Sequence, residues 1–272
     1  MMRSLWTGAS GMKAQQTSVD TIANNLANVN TTGFKSQSTQ FKSLLYQTLQ
    51  ERSTTANGNP KPTNAQVGLG ARVASINTSY TQGAQLASAN NMACCINGSG
   101  FFAVSGEDGA TYYTRNGDFN WSLNNAGGLI LTNAQGNPVL DRNGQWIELP
   151  EGAGSAGVSV GTTGEVAYRL PDGTAVSTGQ FIGLFQFRNP VGLEKQANNL
   201  LAESAASGPA MREDINPGLR PSTIAQGFLE GSNVNVADEM VNLIVAQRAY
   251  EMNSKVITTT DSMMDTANNL KR

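Results

Sequence analysis

Apolar residues recur every seven positions at both ends of this chain, and that pattern constrains the fold more than any other feature. Near the start the row is Leu5, Met12, Val19 and Leu26, with Ile22 and Val29 forming a second row three residues beyond Val19 and Leu26. Such spacing keeps side chains on one stripe of a helix, ready to pack on a partner helix. Ala9 and Ala23 flank the row as small residues that permit close approach. Asn30, Thr31, Thr32 and Gly33 supply the stop, since glycine enters a left-handed backbone easily. The element expected over 1–33 thus holds an amphipathic helix of roughly 25 residues, about 38 Å long at 1.5 Å per residue.

Val236, Leu243, Tyr250, Ile257 and Met264 repeat the spacing at the other end, with Met240 in an intermediate position. Asn235 is the expected N-cap, and Asp238 and Glu239 bring negative charge to the positive end of the helix dipole. Thr258, Thr259 and Thr260 lower the intrinsic propensity of this element, 232–272, so it depends on packing and needs a partner. The N-terminal helix is one partner; further copies of the chain are another. Polar Gln247, Ser254 and Asp261 interrupt the seam as an isolated two-stranded coil and leave gaps that neighbouring subunits or water can fill.

The character changes between the helices. Residues 34–50 carry Phe34, Phe41, Leu44, Leu45, Tyr46 and Leu49 and read as a short docking segment. Residues 51–70 are rich in Gly, Pro, Asn and Thr and read as an extended loop, longer than compact folds keep without a role. From 71 to 231 the chain reads as a β body and return segment, with strands expected at 101–104, 119–123, 129–131, 146–149 and 181–187. Asn97-Gly98, Asp108-Gly109, Asn116-Gly117, Asn143-Gly144 and Asp172-Gly173 mark hairpin turns between them. Pro190 and Gly192, then Gly208-Pro209, suit a surface path back toward the last helix. The expected fold is mixed α and β: paired long terminal helices with an inserted, predominantly antiparallel β body.

Chemistry is sparse. The 272 residues contain no histidine, which removes the commonest general base, Ser-His triads and mixed histidine metal sites. Cys94 and Cys95 are adjacent, too few and too close for a zinc site or a disulfide framework; they read as a strand with one thiol toward a core and the other outward or toward a neighbour. The pairs Glu107/Asp108, Glu213/Asp214 and Asp238/Glu239 read as solvated loops or helix-start charge, and no spacing sets two carboxylates across a substrate. No enzyme activity, cofactor or metal is expected. The formal charge of −2, without a long basic run, gives no nucleic-acid footprint, and no stretch of 18 apolar residues marks a membrane span. Tyr80, Tyr112, Tyr113, Trp121 and Trp146 keep a carbohydrate-binding module as the alternative, if they line one exposed groove.

The segment from Gln15 to Lys35, with Ala23, Asn24, Asn25, Leu26, Ala27 and Asn28 followed by Thr32, Gly33, Phe34 and Lys35, resembles the amino-terminal motif of the flagellar rod and hook family. The stretch from Ser232 to Lys255 resembles its carboxy-terminal motif through Asn235, Val236, Glu239, Met240, Leu243, Ile244, Gln247, Arg248, Ala249, Tyr250, Asn253 and Lys255. The likeness continues through Ile96, Gly98, Gly100, Phe101 and Phe102, then Thr114, Arg115, Gly117 and Phe119. Arg3 to Trp6, residues 41–49, and the loop ending Val67-Gly68-Leu69-Gly70 look most like the distal-rod members; hook and proximal-rod members are the alternatives.

The resemblance implies a structural subunit, exported without a cleaved signal peptide, that polymerises into the helical tube of the flagellar basal body. Proximal rod, hook and surrounding ring proteins are the partners it implies, and a stiffening role for 51–70. On this reading the assembly interface is Leu5, Met12, Val19, Ile22, Leu26 and Val29 on the first helix and Val236, Met240, Leu243, Tyr250 and Ile257 on the last.

Overall fold

The structure, a computed structural model, describes residues 2–50, 65–124, 127–150, 157–169, 174–216 and 218–270. The expected turn at Asp172-Gly173 and residues 51–64 of the expected loop lie outside the described residues. The chain forms two compact units, one from 1–27, 37–78 and 235–272, the other from 28–36 and 79–234.

The first unit holds both long helices, α1 (Met2–Ala27) and α2 (Val236–Asn269). Asn235 caps α2, its side chain accepting the Ala237 N–H at 3.1 Å. The helices run antiparallel: Ser4 meets Thr260, Gly8 meets Ile257, Gly11 meets Asn253 and Asn25 meets Glu239. Helix α1 ends at Ala27, six residues short of Gly33. There the Thr31 N–H donates to Asn28 O at 3.2 Å and the Thr31 hydroxyl to Asn28 Oδ1 at 3.1 Å, and such local bonds compete with helix continuation. Val29 therefore leaves the helical row it was expected to extend and sits in this turn.

Along α1 lies an antiparallel ribbon built from β1 (Gln37–Ser43), β2 (Tyr46–Gln50), β3 (Ala65–Gly68) and β4 (Ala71–Thr78). Gln37 pairs with Thr78 and Ser43 with Ala71; the Leu44 N–H to Gly70 O bond carries the ladder on to Tyr46 opposite Gly68. Residues 34–50 are thus mostly strand, and 65–68, expected as loop, form their partner. Strand 71–78, expected with the β body, pairs here because its ladder runs to β1.

In the second unit every strand pairing among the described residues is antiparallel. Its largest sheet orders six strands as Glu194–Lys195, Leu201–Ala202, Thr111–Thr114, Phe101–Ser105, Leu184–Gln186 and Met211–Arg212. Three-stranded sheets form from Phe119–Leu123, Leu129–Asn133 and Glu148–Leu149, and from Val158–Val160, Glu165–Arg169 and Ala175–Phe181. Alternation along Phe101–Ser105 feeds two cores: Phe102 and Val104 pack with Phe119, Leu131 and Ile182, while Phe101 and Ala103 pack with Tyr113 and Phe187.

The strand expected at 146–149 shortens to Glu148–Leu149, with Trp146 making only an isolated bridge to Leu140. The one expected at 181–187 breaks between Phe181 and Leu184, where the Asp141 carboxylate accepts the Phe181 N–H at 2.9 Å and Gly183 donates to Leu140 O at 3.0 Å, handing the chain from one sheet to another. The five aromatic residues do not line one groove. Tyr80 and Tyr113 join one core and Tyr112 and Trp121 the other, leaving Trp146 exposed by itself.

Candidate assembly site

Two constructions concentrate the polar and apolar interactions, one in each unit. In the helix unit, α1 and α2 approach closely because α1 offers almost no side chain at the crossing. A Cβ on Gly8 would lie 3.1 Å from Ile257 Cγ1, and one on Gly11 would lie 2.9 Å from Asn253 Nδ2. The inward face of α2 sets the large Ile257 against Gly8 and is otherwise small or polar, with Ala246 and Thr260 buried and Asn253 half-buried between them. Ala9 and Ala23, expected at the close approach, are exposed. The spacing of Ser4, Gly8 and Gly11 against Ala246, Asn253 and Thr260 is the sequence signal for this seam.

Of the expected interface residues, Ile22 is buried; Leu5, Met12, Val19, Leu26, Val29, Leu243 and Ile257 are half-buried. Val236, Met240 and Tyr250 are exposed, at 41%, 53% and 42%. Further apolar side chains on α2, Val241, Val245, Met252, Val256 and Met263, recur at intervals of four and seven, which places them on one stripe. Each of the five is exposed, so α1 leaves that stripe uncovered.

Fully buried Asn25 fastens the unit's three components. Its Nδ2 donates to Gln37 O at 2.8 Å and to Glu239 Oε1 at 3.2 Å, and its Oδ1 accepts the Gln37 N–H at 2.9 Å. One side chain thereby bonds β1 and α2 from α1, and the Thr39 hydroxyl adds a bond to Thr21 Oγ1 at 3.0 Å.

In the β unit, Lys35, Arg115 and Glu230 form a buried ion node. The Glu230 side chain is 0% exposed. Its Oε1 accepts from Lys35 Nζ at 2.5 Å and from the Gly83 N–H at 3.0 Å, and its Oε2 accepts from Arg115 Nη1 at 3.2 Å. Lys35 also donates to Thr81 O at 2.7 Å, and Arg115 Nη2 to Gly98 O at 2.8 Å, with the guanidinium 5.0 Å from the Phe101 ring centroid. Burial holds the Lys35 pKa below the usual lysine range, and Glu230 only partly offsets it. Gly33 makes the node reachable. Its φ of +70° bends the segment so that its N–H donates to Glu230 O at 2.8 Å, and a Cβ there would stand 2.7 Å from the Asn116 nitrogen.

Both cysteines are free and buried on the neighbouring Cys94–Asn97 strand. Cys94 packs into the Phe102 core, and burial pushes its pKa up to about 12. Cys95 points to the opposite face, and it too is covered: burial, then the charge of Glu230, raise its pKa to about 11. A node with its oxygens already bonded to protein donors and its charges enclosed has no place for a substrate. Its work is to fix a conformation. Glu230 escaped the sequence reading because it belongs to no motif; the available signal was two cations, Lys35 and Arg115, each beside apolar or strand-forming residues and in need of an anion.

Comparison with known proteins agrees with this architecture. Residues 5–35 match the family model "Flagella basal body rod protein", 95–168 match "Flagellar hook protein FlgE/F/G D1 domain", and 225–270 match "Flagellar basal body rod FlgEFG protein C-terminal". The chain is 42% identical to the flagellar basal-body rod protein FlgG of Borreliella burgdorferi, over 100% of both chains. It is 39% identical to the protein of the same name in Bacillus subtilis, again over 100% of both, and 39% identical to that of Buchnera aphidicola subsp. Schizaphis graminum over 97% of this chain and 98% of the relative.

Proposed function

The chain belongs to the flagellar basal-body rod protein family, and from that premise we propose that it is the distal-rod subunit, associating with its own copies into a straight hollow shaft that carries torque to the hook. It is a structural protein of the rod and no enzyme. In this assembly the terminal helices line the inner tube and the β unit contributes to the surrounding wall, outside the cytoplasm. Proximal rod, hook and ring proteins meet it at the ends and outer surface.

The observation that carries the reading is the uncovered apolar stripe of α2. Val245, Met252 and Met263 are each more than 60% exposed. A run of such residues along a 34-residue helix exceeds the scattered apolar exposure of an ordinary surface and is covered when neighbouring helices pack on it. The expected interface residues Val236, Met240 and Tyr250 are exposed as well, but at about 3.6 residues per turn they lie on another side of α2 and form a second surface there. Leu5, Met12, Val19, Leu26, Leu243 and Ile257 keep enough exposed area to contribute.

A helical electron-microscopy reconstruction of purified basal bodies containing this chain tests the proposal. Density for both helices in a straight inner tube is the expected result. Finding the chain in the curved hook, or only in the proximal segment, would overturn the distal assignment.

A further inference from the structure

Beside the α1–α2 seam, a groove of about 310 Å3 opens between α1, β1 and the first turns of α2. Glu239 lines it. One carboxylate oxygen, Oε1, accepts from Asn25 Nδ2 at 3.2 Å; the other, Oε2, is buried and has no hydrogen-bond partner among the described residues. A buried carboxylate oxygen left unpaired is costly, more so than a neutral group would be. Its position asks for a donor, preferably a cationic one.

The walls narrow the choice of donor. Ile22 and Ala246 are buried against the groove, while Phe41 and Val245 line it with 44% and 62% of their surface exposed. The other lining side chains are mostly Gln, Ser, Thr and Asn; an apolar patch set among them and leading to one anionic oxygen matches a long side chain with an aliphatic stem and a charged tip. A hard divalent cation fits poorly, since it needs six or more oxygen ligands and Glu239 is the one carboxylate lining the groove. Matching donors exist on the chain itself: Lys13, Lys42 and Lys255 are exposed in the helix unit and form no salt bridge among the described residues.

We propose that this groove is a socket for a lysine or arginine side chain of a second copy of the chain, its stem lying on Phe41 and Val245 and its cation bonding Glu239 Oε2. The inference rests on the rod reading, because a polymer is what brings a second copy to this face. It adds a charge-specific register contact to an interface otherwise made of apolar stripes, which by themselves tolerate sliding.

The test uses the full chain with a benzoylphenylalanine photo-crosslinker at Asn242, a groove-lining exposed residue, expressed beside the unlabelled chain in a flagellated bacterium. Illuminated basal bodies are expected to yield a two-copy adduct whose captured peptide contains Lys or Arg. Glu239→Gln, whose amide oxygen still accepts from Asn25, is expected to lower the adduct per incorporated chain by about tenfold, the effect of losing one charge-assisted bond. A two-copy adduct insensitive to Glu239→Gln overturns the socket and leaves the rod reading standing. An adduct with a different basal-body protein, or none from an incorporated chain, overturns it likewise. Absence of the labelled chain from basal bodies overturns the rod reading and the socket together.

Discussion

Lys35 places its ammonium 2.5 Å from Glu230 Oε1, joining two positions 195 residues apart in a site where the carboxylate side chain is 0% exposed. Arg115 takes the other oxygen at 3.2 Å. Two cations on one anion leave a net positive charge in the interior, so the carboxylate matters more to this node than either cation. Its loss exposes both to an uncompensated burial cost.

Glu230→Ala should therefore lower the stability of the β unit by about 3–5 kcal/mol, the usual cost of breaking a buried ion pair from one side. Urea denaturation of the purified chain measures it. A loss under about 1 kcal/mol would show that water reaches the node and screens it.

Asn25→Ala should strip Gln37 of both its backbone partners and leave Glu239 without its donor. The expected cost is about 1–3 kcal/mol for the buried groups left unsatisfied. Hydrogen exchange at the Gln37 amide should accelerate, while amides of the Phe101–Ser105 strand keep their protection. Equal acceleration in both places would contradict a role confined to the helix unit.

The thiols predict an alkaline sensitivity. Burial raises the Cys94 and Cys95 pKa values from 9.0 to about 12 and about 11. The unfolded chain thus loses these protons first, and the stability held below pH 9 declines as pH climbs toward 11 and 12. Lys35 acts in the opposite sense, since its lowered folded pKa lets the folded chain release a proton earlier, so stability gains as pH rises from that value to 10.5. Comparing wild type with a Cys94→Ala, Cys95→Ala variant retains Lys35 and removes the thiols together with the small Cys95 contribution that raises the Lys35 pKa. The variant should lose less stability between pH 9 and 11, and parallel curves would refute the thiol contribution.

Met252→Asp, at a residue 64% exposed, should leave the melting temperature of the isolated chain nearly unchanged and block its incorporation into basal bodies. Leu243→Asp, at a half-buried position, should do the same to incorporation and also destabilise the helix pair. Normal incorporation of the Met252 variant into a tube of unchanged geometry would remove α2's outer stripe from the interface.

The helices were legible because their signals are local: rows such as Leu5, Met12 and Val19, and a cap at Asn235 beside Asp238 and Glu239. Which stripe meets which partner was not. A heptad identifies side chains that share a face, and the eye follows the large ones, but at the intramolecular seam the large Ile257 is received by Gly8, and Gly11, Ala246 and Thr260, which no heptad row marks, complete it. Strand β1 reads Gln-Ser-Thr-Gln-Phe-Lys-Ser, with one apolar residue and no alternation, so its pairing with β4 left no mark in the hydropathy. Strands such as Phe101–Ser105, whose faces feed two cores, announced themselves through continuous apolar residues. Glu230 was invisible because its partners lie far away in sequence and nothing beside it distinguishes it from a surface glutamate.

The pairing of Ser4 with Thr260 and of Lys35 with Glu230 also sets a clock. Each unit closes on a segment from the last fifth of the chain, so neither can complete itself while those residues are still being made or still threaded elsewhere. Loops of this length close slowly, and their native contacts return free energy only after the ends meet. A chain delivered end first therefore travels as an incomplete structure and finishes folding after its tail arrives. Completion of the monomer and availability of α2's outer stripe for a neighbour become a single, late event.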